Sequence, residues 1–503
     1  MVVEQKHTSL DRAAKEVRKV LRPYQHEVVD RMVKEKRHLN YLDMGMGKSL
    51  VSLLAVVEAK AFPCMIVASK AAMYVLEGEL RKWFGEEAII YAGKPKHRQE
   101  AFKRFAEEGR NFIITNYALA EELGQQFGII PSSRTIKGSS DRGTRRTALT
   151  PHPGTKWKVG ALIADEIQTA GLFNHKTKTY KVFKQLAKAI PYVYLLTGTP
   201  YRRGVIDFYA PLSLIDPVSF NSYWRYVQRY CRTIDNGFGK EIERTPKNLV
   251  EFRKMIRKYA SIMHKKDYVK DLPEKTRITV PVVMDPEQSR VYNELTENLF
   301  AETDTGELIM SPGALAASVR QRQILAAPQS VGLKTRGAAV EMLLEMAEPL
   351  VEKRDAFVVF TPFRDAVAAI AKAIREKYPN VGVYQITGGL KPEEFRDQWQ
   401  GFQNGRGARV LVCVIRSGAS FHATAAATAF FLGYEWDFNQ NTQAEDRLSR
   451  IGQKRPVTCY YFMHKDTVDE DIALRLNDKK YTGDLVLSND EVFELMINRR
   501  RKV

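Results

Sequence analysis

Two short stretches of this 503-residue chain carry residue types suited to handling a nucleoside triphosphate. The first is Tyr41-Leu42-Asp43-Met44-Gly45-Met46-Gly47-Lys48-Ser49-Leu50, which follows an apolar run and opens a helix-like segment over 51–60. Gly45 and Gly47 let the backbone curl so that successive N–H groups point inward, and the start of a helix adds positive potential at the same place. Lys48 can then reach β- and γ-phosphates, and Ser49 can ligate magnesium. The strict Gly-x-x-x-x-Gly-Lys-Ser pattern is not met, because its first glycine would fall at Leu42. Taken alone, the stretch also reads as an ordinary glycine turn. The second stretch, Leu162-Ile163-Ala164-Asp165-Glu166-Ile167-Gln168, is an apolar strand ending in two adjacent carboxylates. Asp165 suits magnesium, directly or through water, and Glu166 suits orienting or deprotonating an attacking water. Paired acids at a strand end are more commonly just solvated. Their combination with Lys48 and Ser49 selects the catalytic reading, since phosphoryl transfer needs both halves.

Such residues need strand ends and helix starts to hold them, and the chain supplies these in two series. Strands are expected at 38–43, 64–68, 111–115, 161–164 and 192–197, each followed by turn residues and a helix-like segment, and again at 356–360, 381–387, 409–414, 427–432 and 458–462. The fold class is therefore α/β, with two parallel sheets flanked by helices. We place a first ATP-binding lobe at 1–204, helical insertions and a linker at 205–345, a second lobe at 346–480 and a tail at 481–503. Within the insertions, Tyr223–Tyr230 and 249–266 show helical periodicity and little strand signal. A basic loop at 128–160 reads either as a solvated insertion or as a nucleic-acid contact, and Arg499-Arg500-Arg501-Lys502 as a solvated or a DNA-tracking tail.

Composition narrows the partners. The chain is 44% hydrophobic and 27% charged, which excludes wholesale disorder, and 78 Lys and Arg against 59 Asp and Glu give a net charge of +19. That excess points to an acidic partner, nucleic acid before anionic membrane. No stretch approaches the roughly 20 apolar residues of a membrane span, and the start of the chain lacks the apolar core of a signal peptide. Cys64, Cys231, Cys413 and Cys459 form no Cys-x-x-Cys, so neither a zinc knuckle nor a disulfide framework is expected and a reducing cytoplasm is.

The ordered set Leu21-Arg22-Pro23-Tyr24-Gln25, Asp43 to Ser49, Asp165-Glu166-Ile167-Gln168, Leu196-Thr197-Gly198-Thr199-Pro200 and Gln443-Ala444-Glu445-Asp446-Arg447-Leu448-Ser449-Arg450-Ile451-Gly452-Gln453 resembles the Swi/Snf-type DNA-dependent ATPases of helicase superfamily two. The last block is the most specific, and its form is most similar to the annealing-helicase and fork-remodelling branch. The resemblance spans about residues 20–480 and implies two RecA-like lobes around a DNA duplex, with ATP and magnesium as cofactors. It implies a nucleotide-binding set of Arg22 and Gln25 at the adenine, Gly45, Met46, Gly47, Lys48, Ser49 and Leu50 at the phosphates, and Gly418. Catalysis would use Lys48, Asp165 and Glu166 with Gln443, and with Arg447 and Arg450 as arginine fingers, while Ser49 and Asp165 hold the metal. Thr197, Gly198 and Thr199 match the segment that links hydrolysis to DNA movement. Lys70, Thr115, Asn116 and Tyr117 in the first lobe, and Thr361, Arg364, Thr387 and Arg416 in the second, match positions that face DNA backbone in relatives. Tyr117 reads equally well as core.

The chain departs from the family at Arg416-Ser417-Gly418-Ala419-Ser420-Phe421-His422-Ala423, where relatives carry a Gly-Gly-x-Gly-x-Asn stretch and only Gly418 survives. The resulting expectation is a minimal, monomeric ATP-dependent translocase on double-stranded DNA, forked or branched DNA included, in the cytoplasm of a bacterial or phage-infected cell. A strand-separating or branch-migrating helicase, or a DNA-binding regulator with a weakened ATPase site, are the rival readings.

Overall fold

In the computed structural model the described residues are 2–131, 158–200, 204–235, 240–269, 271–304, 306, 308–311, 314–416 and 421–473. Most of the 128–160 loop, the 481–503 tail and Gly418 lie outside them. The chain divides into two units at Tyr268/Val269.

The strands of the first unit are β1 (Arg37–Leu42), β2 (Cys64–Ala68), β3 (Ile89–Tyr91), β4 (Phe112–Asn116), β5 (Ala161–Ala164), β6 (Tyr192–Leu196), β7 (Cys231–Asp235), β8 (Lys240–Pro246) and β9 (Ala260–Met263). Seven of these form one sheet in the order β3-β4-β2-β5-β6-β1-β9, and every neighbouring pair is parallel. Strands buried on both faces need continuous apolar runs, and β2 (Cys-Met-Ile-Val-Ala) and β5 (Ala-Leu-Ile-Ala) are buried at every residue. Ser69 starts the helix Lys70–Phe84 by accepting from Ala72 N, and Thr177 starts Lys178–Ala189 by accepting from Tyr180 N. One sheet face packs Phe102, Phe105, Phe127, Phe183 and Phe208 into a single apolar cluster.

The second unit contains β10 (Lys275–Val282), β11 (Phe300–Glu302), β12 (Leu308–Met310), β13 (Ala356–Thr361), β14 (Gly382–Ile386), β15 (Arg409–Val414), β16 (Thr428–Leu432) and β17 (Val457–His464). Six of them form a second all-parallel sheet, β10-β17-β16-β13-β15-β14. Phe360, Phe431 and Tyr461 stand in register across β13, β16 and β17 and stack at ring distances of 4.8 and 4.2 Å. Two parallel sheets flanked by helices are what the sequence predicts.

The stretch 205–345 differs from its expectation as helical insertion. It carries β7 and β8 as a hairpin, β11 and β12 as another, and one edge strand for each large sheet, β9 and β10. The helix expected over 249–266 ends at Tyr259, because Ala260 to Met263 pair with Leu39 to Leu42 of β1. Among the described residues no helix is long and apolar enough to cross a membrane, and all four cysteines are buried thiols.

Candidate nucleotide site

In parallel α/β sheets, ligands sit at the carboxyl ends of the strands, and that edge of the first sheet gathers both chemical stretches. β1 ends at Leu42, the chain turns through 43–47, and the helix Lys48–Glu58 begins. Gly45 (φ +80°) and Gly47 (φ +86°) take left-handed conformations that other residues adopt only at a cost. A Cβ at Gly47 would stand 2.4 Å from Gln25 Nε2. No side chain caps the helix and no acid occupies its first turn, so its positive end is left for an anion.

Gln25 Nε2 and Tyr24 Oη both donate to Met46 O, at 3.0 and 3.1 Å, while Gln25 Oε1 accepts from Arg22 N at 2.9 Å. Residues 22–25 thus brace the phosphate loop from the side on which the resemblance puts the adenine. Lys48 Nζ is buried and donates to the strand-end carbonyls of Leu42 (3.0 Å) and Asp43 (3.3 Å). Asp43 is pinned in turn to β9: its N donates to Met263 O at 3.1 Å, its Oδ2 accepts from Lys265 N at 2.8 Å, and its Oδ1 lies 3.4 Å from His264 Nδ1. Ser49 and Leu50 are half-buried in the first helical turn.

Two strands away, Asp165 and Glu166 follow β5, and both are buried. Burial pushes the Asp165 carboxyl up to about 7, the neighbouring charge of Glu166 adds to the rise, and the Lys48 ammonium opposes it. Two adjacent buried carboxylates, with the Lys48 charge acting on Asp165, form a site short of positive charge. Such a site fits a divalent cation held through Asp165 and Ser49, which would supply charge neutralisation to phosphate oxygens. Glu166 itself takes φ +54°, an uncommon conformation for a residue with a Cβ. Its carbonyl accepts from Thr169 N (3.0 Å) and Thr169 Oγ1 (2.8 Å), and its Oε2 accepts from Gln168 Nε2. Gln168 Oε1 accepts from Thr197 Oγ1 at 2.6 Å, and Thr197 Oγ1 accepts from Thr199 N at 2.9 Å. A hydrogen-bonded chain therefore runs from Glu166 to the 197–199 segment after β6.

In the second unit the Gln443–Gln453 block begins in the helix Phe438–Glu445 and packs on the aromatic face of the sheet. Gln443 is half-buried. Arg447 is buried: Nη2 donates to Ile415 O at 3.2 Å, and the guanidinium lies 4.4 Å from the Phe421 ring and 5.8 Å from Phe360. Arg447 thus braces its own unit, whereas Arg450 is half-buried. Gln453 Nε2 donates to Ala426 O at 2.7 Å and closes the turn.

The SNF2-related domain model matches residues 24–330, more than half of the chain, and the helicase conserved C-terminal domain model matches 338–452. The chain belongs to the SNF2-related family. Among its relatives are the Drosophila melanogaster SWI/SNF-related matrix-associated actin-dependent regulator of chromatin subfamily A-like protein 1, 27% identical over 64% of this chain and 41% of that protein. The Mus musculus DNA annealing helicase and endonuclease ZRANB3 is 23% identical over 100% of this chain and 44% of its own length. An uncharacterized ATP-dependent helicase of Mycoplasma pneumoniae is 22% identical over 95% of this chain and 43% of its own length. The chain spans less than half the length of each of these relatives. The Sulfolobus solfataricus SWI2/SNF2 ATPase core in complex with dsDNA aligns over 96% of both chains at 23% identity, with a TM-score of 0.42.

The positions expected from the sequence to face DNA sort into two kinds. Lys70, in the first turn after β2, and Arg364, after β13, are exposed. Arg416, after β15, is exposed and holds buried Glu435 at 2.7 Å, and Thr387, after β14, is half-buried. The side chains of Thr115 and Thr361 are fully buried, and Thr115 Oγ1 donates to Tyr91 O at 2.9 Å. Asn116 Oδ1 accepts from Ala118 N at 3.0 Å and shapes the turn. Tyr117 takes the core reading: its hydroxyl donates to Asp165 O at 2.6 Å, its ring packs on Phe183, and burial raises its pKa well above the usual tyrosine value.

Sequence reasoning missed Tyr24 and Asp43 as loop anchors and Gln168 as the link to Thr197. All three stand inside the quoted motifs, so position alone pointed to them. The pairing of Asp43 with His264 and Lys265 left no local signal.

Proposed function

We propose that this chain is a DNA-dependent ATPase that uses ATP and magnesium to translocate on double-stranded DNA. The observation that carries the reading is the convergence, at one sheet edge, of a helix start with a Gly45/Gly47 cradle, the Lys48 ammonium and the desolvated Asp165–Glu166 pair. Lys48 exchanges its strand-end carbonyls for phosphate oxygens, Ser49 and Asp165 hold the metal, and Glu166 holds the attacking water. Arg450 supplies the charge that the transferring group needs, and Lys70, Arg364 and Arg416 grip phosphates of the duplex. The names of the relatives, an ATP-dependent helicase and a DNA annealing helicase, support ATP use and extend the DNA reading to forked substrates.

The test is steady-state ATP turnover without DNA and with duplex, single-stranded and forked DNA, beside triplex displacement along a duplex track. Stimulation by duplex and directional displacement are expected, with turnover lost in Lys48→Ala and in Glu166→Gln while both still bind DNA. Unstimulated turnover, or Lys48→Ala at the wild-type rate, sinks the reading.

A further inference from the structure

β10 is an edge strand of the second sheet, and it follows directly on the 269–274 segment that leads out of the first unit. Alternation along a strand puts Lys275 and Arg277 on one face. Both reach the end of the Phe438–Glu445 helix. Arg277 forks onto Glu445 through Nε–Oε1 at 2.6 Å and Nη2–Oε2 at 2.7 Å. Lys275 Nζ lies 2.9 Å from Glu445 Oε2 and 3.1 Å from Asp446 Oδ1, and Tyr461 Oη donates to Glu445 Oε1 at 2.7 Å. The Glu445 side chain is only 1% exposed. Burial alone would raise its pKa, but the Lys275 and Arg277 charges and hydrogen bonds outweigh burial and hold it low.

The same residue builds the turn that follows. Glu445 O accepts from Leu448 N at 3.0 Å and Ser449 N at 3.1 Å, and Arg450 O accepts from Gln453 N at 2.9 Å. The far end of the turn meets the linker as well. Val269, Asp271, Leu272 and Pro273 share with Ile451, Gly452, Gln453 and Lys454 the lining of a cavity of about 390 Å³. The 447–450 turn is thus bracketed on both sides by one short segment, gripped by charge at one end and bordered by open volume at the other.

We propose that Lys275 and Arg277 are positioning residues that pass movement of the 269–274 linker to the Arg450 turn through Glu445. The proposal rests on the reading of Arg450 as the residue that completes phosphoryl transfer. A charge-bearing group must stand in place to stabilise a transferring phosphoryl group, and a displacement of about 1 Å costs on the order of a hundredfold in rate. A salt bridge fork resists such displacement better than an apolar contact, because it fixes angle as well as distance.

The test measures ATP turnover at saturating duplex DNA in the wild type and three variants. Removing one partner leaves a buried charge, so the informative variant is the pair Arg277→Gln with Glu445→Gln, in which Lys275 keeps Asp446 at 3.1 Å as its counter-charge. It should lower kcat about tenfold with KM for ATP within about twofold, a split that separates positioning from binding. Inserting two glycines between Asp271 and Leu272 should lower kcat in the wild-type background but add no further loss to the neutral pair, since both act through one path. Multiplicative losses, or a neutral pair with wild-type kcat, overturn the proposal. Should the neutral pair fail to fold, Arg277→Lys keeps the charge, loses the fork, and should lower kcat without changing KM; an unchanged kcat overturns it. A wild-type chain that hydrolyses no ATP on duplex DNA removes the underlying reading, and the proposal with it.

Discussion

Thr197 Oγ1 donates to Gln168 Oε1 at 2.6 Å, and the amide nitrogen of the same Gln168 donates to Glu166 Oε2. The 197–199 segment therefore orients the carboxylate assigned to the attacking water, through an amide whose two ends are both committed. Thr197→Val keeps the shape of the side chain and deletes the donor. Gln168 is then free to rotate, and Glu166, at φ +54°, loses the contact that fixes its side chain. The expected result is a kcat lower by about 10- to 100-fold with KM for ATP little changed, as for removal of a group that acts in the transition state. Steady-state kinetics on duplex DNA check it, and equal changes in kcat and KM would contradict it.

Gly47 carries a second prediction. At φ +86° any other residue is strained, and a Cβ would stand 2.4 Å from Gln25 Nε2. Gly47→Ala should break the Gln25–Met46 hydrogen bond and pull residues 22–25 off the loop. Strain and the lost bond together should cost about 1–3 kcal/mol of stability. Nucleotide affinity should fall with it, measured by titration with a fluorescent ATP analogue. The same variant bearing Gln25→Ala relieves the clash and should recover part of the stability but none of the affinity.

How far the sequence reveals the molecule depends on the range of the interaction involved. β2, β5 and β15 stand at the residues expected, because buried parallel strands are continuous apolar runs between turn signals. β9 was hidden inside a helical pattern, since what makes Ala260–Met263 a strand is β1, more than two hundred residues earlier. β10 is polar and alternating, as an edge strand should be, and its role appears only when Glu445 is seen beside it. The site divides in the same way. The placing of Lys48 and Ser49 after β1, and of Asp165 and Glu166 after β5, is legible because each follows an apolar run directly. The burial of the Thr115 side chain had no sequence signal, because the short strand β3, which takes up its hydroxyl at Tyr91 O, left no pattern to read.

The raised pKa of Asp165 makes stability depend on pH in a definite direction. The group titrates near 7 in the folded chain and near the usual carboxylate value when unfolded, so the folded state binds the extra proton between about 4 and 7. Its contribution is fully present below pH 4 and is lost as pH rises through 7. Asp165→Asn lacks this titration. Its stability relative to wild type should therefore climb by up to about 1.4 kcal/mol per pH unit across the window and level off above 7. Urea unfolding of both proteins at pH 5, 6, 7 and 8, with a chelator present to remove magnesium, measures the gap. A gap independent of pH would mean that Asp165 ionises normally.

Arg447 and Arg450 sit three residues apart and look alike in sequence, yet the fold sets them in different surroundings. Arg447 spends its guanidinium inside the second unit, against Phe421 at 4.4 Å and on Ile415 O at 3.2 Å, where burial depresses its pKa. Arg447→Ala removes a cation–π contact and a hydrogen bond and leaves a cavity between aromatic rings. The expected cost is about 2–4 kcal/mol, with activity falling in step with the folded fraction. Arg450, half-buried on the turn, should behave the opposite way: Arg450→Ala keeps the thermal midpoint within a few degrees and nearly preserves nucleotide affinity, but turnover is lost. Measuring Tm and kcat on both variants separates the roles. If Arg447→Ala were as stable as wild type and dead in turnover, the buried arginine would have to leave its place between Phe421 and Phe360 during the cycle.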